Sequence, residues 1–83
     1  MNAAIITKRL LENLLRNRII GAKHTSEDNA IKCFPKDSRG DAKKILKKLE
    51  KEGYLMYHPT SYEIQISLNP ARLKEIRELL ESP

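Results

Sequence analysis

The chain contains one cysteine, no tryptophan, one phenylalanine and three glycines among 83 residues. A lone Cys33 excludes an intrachain disulfide. With only His24 and His58 beside it, no paired Cys or His stand at metal-ligand spacing, so no metal site is expected. Cys33 itself reads as a half-buried small residue. No apolar run approaches the length of a membrane span, and Met1-Asn2-Ala3-Ala4 lacks the order of a secretion signal. The expectation is a cytoplasmic protein with no membrane partner. A glycine-rich phosphate loop, a nucleophile elbow and an inward pair of carboxylates are all missing, which disfavours an enzyme and implies no cofactor. At this length the chain reads as one domain, 1–83, with a single modest core.

What the chain does have is positive charge, placed unevenly. The formal charge is +5, and residues 36–51 hold seven basic against three acidic groups, a net of +4. Residues 52–68 carry only Glu52 and Glu63, a net of −2. The positive pole coincides with a helical pattern. Ala42, Ile45, Leu46 and Leu49 fall at i, i+3, i+4, i+7, while Lys44, Lys47 and Lys51 point the opposite way and Lys43 and Lys48 flank them. Lysines that merely solvate a helix face, some pairing with Glu50 and Glu52, would give the same pattern. Gly40 lies in the first turn on the lysine side. It either lets a phosphate or base edge approach the backbone or relaxes the start of the helix.

Around this helix the periodicity predicts further elements. A first helix runs from about Ala3 to Arg18, capped by Asn2, with Ile6, Leu10, Leu11, Leu14 and Leu15 buried. Gly21 ends it, and Ala22-Lys23-His24 reads as a short strand. Thr25 with Asp28 starts a second helix whose apolar face is Ala30, Ile31 and Phe34, ended by Pro35. Ser38 with Asp41 repeats the capping pattern and starts the third helix, which Gly53 stops. Tyr54 to Leu68 then reads as a hairpin around His58-Pro59-Thr60-Ser61. Tyr62, Ile64, Ile66 and Leu68 share the buried parity, and Glu63, Gln65 and Ser67 the other. Asn69-Pro70 opens a last helix with Leu73, Ile76, Leu79 and Leu80 on one face.

The capped pair Thr25–Phe34 and Ser38–Glu52, followed at once by Gly53-Tyr54-Leu55 and a hairpin, resembles the winged helix-turn-helix family across nearly the whole chain. With Pro59-Thr60-Ser61-Tyr62 and Ser67-Leu68-Asn69-Pro70 it is also similar to small archaeal winged-helix proteins with no assigned role. The resemblance implies a helix-rich α+β fold: a three-helix core, a small antiparallel β-hairpin wing and a C-terminal helix. It also implies that the third helix enters the major groove of DNA, and from there transcriptional regulation. That brings Lys36, Ser38, Arg39, Lys43, Lys44, Lys47 and Lys51 forward as contacts, with Arg39 the one side chain suited to reading a guanine bidentately. Family wings commonly bring Arg or Lys to the groove, whereas His58, Thr60 and Ser61 supply no fixed charge here; either Thr60 and Ser61 give neutral hydrogen bonds to phosphate with His58 protonating on contact, or the hairpin only completes the core, which is the expectation. Tyr57 and Tyr62 read as core residues, with stacking on unpaired bases the alternative. Structured RNA and an acidic protein partner remain open as ligands. A homodimer through Leu73, Ile76 and Leu80 is open beside their packing on the first helix of the same chain.

Overall fold

Residues 2–81 of a computed structural model form four helices and a three-stranded antiparallel sheet, an α+β architecture. Met1, Ser82 and Pro83, which the expected domain 1–83 includes, lie outside the described residues. The elements follow the order α1 (Ala3–Arg16), β1 (Thr25–Ser26), α2 (Glu27–Ile31), α3 (Arg39–Lys51), β2 (Leu55–Pro59), β3 (Ile64–Leu68) and α4 (Leu73–Glu81). β3 is the central strand, flanked by β1 and β2.

Helix α1 forms because Asn2 accepts the Ile5 N–H at 2.9 Å and because Ile6, Leu10, Leu11 and Leu14 supply a continuous buried stripe. It ends at Arg16, two residues earlier than the periodicity suggested. The Ile19 N–H donates to the Leu14 carbonyl at 2.9 Å and the Arg18 N–H to Leu15 at 3.0 Å, a closure that drives Arg18 to φ 56°. The following loop is pinned to the sheet, since Leu68 donates to the Ile19 carbonyl at 2.8 Å and Gly21 to the Leu68 carbonyl at 3.0 Å.

The third strand is Thr25–Ser26 rather than Ala22–His24, because that pair faces Ile66 and Gln65 across the ladder. With Thr25 held extended in the sheet, the α2 cap passes to Ser26, whose hydroxyl accepts the Asn29 N–H at 3.0 Å; the expected Thr25–Asp28 pairing gives way to it. Ser38 does not cap α3 either. Lys36–Ser38 is a 3-10 turn continuous with the helix, so Ser38 is already helical, with φ −101° and ψ −8°, and is 8% exposed. Cap function needs the extended backbone that Pro35, at ψ 151°, has taken instead.

Helix α3 lies against α1 with Ala42, Leu46 and Leu49 buried. Its C-terminus closes with Gly53 at φ 87° and the Tyr54 N–H on the Leu49 carbonyl at 3.0 Å. Arg72 then clamps that end, donating to the Glu52 carbonyl at 3.1 Å and lying 4.4 Å over the Tyr54 ring.

Four expectations about faces fail. Tyr57, expected in the core, is 55% exposed on β2. Tyr62 lies in the turn outside β3 and is 96% exposed. Ser67, on the expected polar parity, is fully buried beside stacked His24 and His58 rings, whose centroids are 4.1 Å apart. Cys33 is exposed rather than half-buried. In α4, Ile76 is fully buried, Leu73 and Leu80 are half-buried against the chain's own core, and Leu79 of the same face is exposed.

Arg18 holds a left-handed conformation that a side chain makes costly. Arg18→Gly should therefore stabilise the fold by about 0.5–1 kcal/mol, read as a Tm rise of about 2–8 °C in thermal unfolding. An unchanged or lower Tm would contradict the strain at this position.

Candidate nucleic-acid interface

The apolar stripe of α3 fixes which way its lysines point. Once Ala42, Leu46 and Leu49 are buried, Gly40, Lys43, Lys44, Lys47, Lys48 and Lys51 form the opposite, exposed face. The face splits lengthwise. Lys44 borders a hollow beside Ala3 and Ile6 of α1, and Lys48 one beside Thr7 and Leu79. Lys43 faces the hairpin across a hollow of about 180 Å³ that it shares with Glu27, Asp28, Tyr62, Glu63 and Ile64. No ion pair involves Lys43, Lys44, Lys48 or Lys51 among the described residues.

Lys47 is different. Its ammonium lies 3.1 Å from Oε2 and 3.4 Å from Oε1 of Glu27, a carboxylate only 5% exposed at the start of α2. The hydrogen bond it donates to this carboxylate holds the Lys47 ammonium above its ordinary range, against the desolvation that would lower it. Lys47 is therefore the link between α2 and α3 as well as part of the ridge. Beside this pair, Oε2 of Glu50 is buried with no hydrogen-bond partner. Burial, and then the Glu27 carboxylate next to it, push the Glu50 carboxyl up to about 7, with Lys47 pulling the other way. Glu50 is thus the carboxyl that holds its proton up to about neutrality.

Among the remaining candidates, Lys36 is exposed in the 3-10 turn. Ser38 is buried away from any ligand. Arg39 is half-buried, its Nε donating to the Phe34 carbonyl at 3.0 Å and its Nη2 to Lys32 at 3.2 Å. Its guanidinium thus neutralises carbonyls just past the end of α2 and is not presented to a base edge. Gly40 is exposed, and a Cβ there would meet nothing within 4 Å, so the fold does not require a glycine at this position.

The hairpin residues divide as well. His58 is half-buried in the stack with His24, on the sheet face away from the core. Thr60 fastens the turn, its hydroxyl donating to the Glu63 carbonyl at 2.7 Å and accepting the Glu63 N–H at 3.0 Å. Ser61 alone is exposed without a recorded hydrogen bond. Sequence reasoning passed over Glu27, whose burial and pairing with Lys47 span elements 20 residues apart and leave no periodic trace. It placed Tyr62 in the core on parity, although the turn residues just before it signalled the end of the regular backbone.

A wider hollow of about 500 Å³ lies between α1 and α2, bordered by Asn13, Asn29 and Cys33; it is remote from the α3 lysines. No helix among the described residues is long and apolar enough to cross a membrane, and no group of three or more His, Cys, Asp or Glu among them could hold a metal ion. No family model matches the sequence, and neither a curated protein nor a solved structure is found similar to it.

The Glu50 carboxyl sets a pH dependence. Its folded value, about 7, stands above its ordinary 4.5, so its contribution is full below about 4.5 and is lost as pH rises through about 7. Thermal unfolding from pH 5 to pH 8 should show a falling Tm. Glu50→Gln, which mimics the protonated form, should flatten that fall; an equally steep fall in the variant would rule out Glu50 as its source.

Proposed function

We propose that the chain is a winged helix-turn-helix domain that binds nucleic acid, above all double-stranded DNA, through the exposed face of α3, as a transcriptional regulator would. The element order supports the fold reading: α1, a short strand, α2, a tight 3-10 turn, α3, a hairpin and a closing helix. One observation carries the function reading. Lys43, Lys44 and Lys51 are exposed on one side of a helix whose other side is buried, and among the described residues no carboxylate pairs with them. Ammonium groups in that arrangement attract a phosphate backbone and release its counterions.

Three details shape the mechanism. Arg39 and Ser38 are withdrawn from the surface, which removes the best candidate for reading a base directly and leaves affinity that is mainly electrostatic. Gly40 lies open on the ridge, where a backbone N–H could meet a phosphate without an intervening side chain. Asp28 at the start of α2 and Glu63 at the hairpin turn lie beside Lys43, so a second phosphate strand is repelled there.

Titration of a fluorescent DNA duplex across a salt series tests the reading, with the matching RNA duplex in parallel. If about five phosphates are neutralised, log affinity should fall against log salt with a slope of about −4 to −5. The triple variant Lys43→Glu, Lys44→Glu, Lys51→Glu should abolish binding with unchanged circular dichroism. Lys47 is left intact because its loss would strand Glu27. Wild-type affinity in that variant would sink the proposed surface, and preference for the RNA duplex would redirect it to structured RNA.

Gly40→Ala separates stability from binding. It should stabilise α3 by about 0.5–1 kcal/mol, since its Cβ has open space. In the same variant the duplex affinity should drop. Full affinity would mean that no backbone contact is made at this position.

A further inference from the structure

Two of the three tyrosines stand outside the core, both on the hairpin that faces α3. Tyr62 is 96% exposed at the turn and Tyr57 is 55% exposed on β2. Tyr62 borders one hollow with Lys43, and Tyr57 lies on β2, the strand that packs against α3. Both rings thus stand on the hairpin side of the ridge that Lys43 opens. A tyrosine ring left almost wholly in water contributes nothing to folding, whereas an aromatic face next to a cationic track suits a nucleobase taken out of its stack.

The acidic shoulder decides which nucleic acid fits. Asp28 and Glu63 line the hollow of Lys43 and Tyr62. A continuous duplex seated on α3 presents a second phosphate strand towards those carboxylates. A neutral base laid on Tyr62 avoids the repulsion while its own phosphates remain over Lys44 and Lys51.

We infer that Tyr57 and Tyr62 form a stacking platform for unpaired bases, so that the preferred ligand is a duplex continued by a single strand. The inference rests on the nucleic-acid reading above and narrows its ligand class. The α3 lysines hold the duplex phosphates, and the hairpin receives the first bases beyond the paired segment.

The test compares one fluorescent DNA duplex in blunt form with the same duplex extended by a short run of unpaired thymines, using the intact protein. Wild type should bind the extended duplex more tightly. Tyr62→Ala should reduce affinity for it by roughly 5- to 100-fold and leave blunt-duplex affinity within about twofold. Tyr62→Phe should restore the wild-type preference, because the ring face does the stacking. A 2-aminopurine at the first unpaired position should report the stacking directly, its fluorescence changing with wild type and not with Tyr62→Ala. Equal affinity of wild type for the two ligands, or equal weakening of both by Tyr62→Ala, overturns the platform while leaving duplex binding in place. Binding to a single strand without binding to the blunt duplex keeps the platform and removes the duplex reading; binding to neither removes both.

Discussion

The rotation of α3 about its own axis is the constraint on which the surface of this protein depends. Ala42, Leu46 and Leu49 are at most 3% exposed and lie against the hydrophobic core, and the Glu27–Lys47 pair ties the same helix to α2 from the side. Turning the helix by one residue would bury a lysine and expose a leucine, a change costing several kcal/mol. Every exposed lysine on α3 therefore has its direction set by apolar packing that it takes no part in. The clamp at the far end acts to the same effect. Gly53 allows the chain to leave α3 closely, Asn69 donates to the Gly53 carbonyl at 2.9 Å, and Arg72 covers Tyr54.

The Glu27–Lys47–Glu50 cluster adds a constraint of another kind. A carboxylate 5% exposed is tolerable only because an ammonium meets both of its oxygens, and because Glu27 begins α2, where the helix dipole favours negative charge. Glu50 exceeds what one lysine can offset, and its proton takes up the difference. The α2–α3 junction thus has an electrostatic component that weakens as pH rises from about 4.5 through about 7, superimposed on a hydrophobic one that does not.

Much of the fold could be read in the sequence because its signals are local and redundant. The α3 stripe, the Asn2 cap, the Gly53 stop and the Asn69-Pro70 start each depend on residues within a turn of one another. Several of the errors were decided by partners outside the same helical turn or strand. Thr25 lost its capping role to a ladder with Ile66, Ser67 was buried by histidines from two other segments, and Arg39 was drawn to carbonyls at the end of α2. The lysine face was legible as a pattern. Which of its members were already engaged was not, because Lys47 meets Glu27 only after α2 and α3 have packed.

A ridge of like charge is unfavourable for the protein standing alone. Lys43, Lys44, Lys47, Lys48 and Lys51 lie within four turns of one helix and repel one another, and at i, i+4 spacing each such pair costs a few tenths of a kcal/mol. The cost would fall if the lysines were interleaved with acids, and the chain does contain acids. It places Glu27, Asp28 and Glu63 on the hairpin side instead, where they engage Lys47 and border Lys43 while the solvent-facing side keeps its charge. Asp41 is the one acid in the first turn of α3, where it favours the helix dipole. Charge is thus partitioned by face, and a partition that costs the free protein stability is relieved by an anionic ligand. An extended polyanion relieves it along the whole ridge at once, whereas a single small anion could meet only part of it.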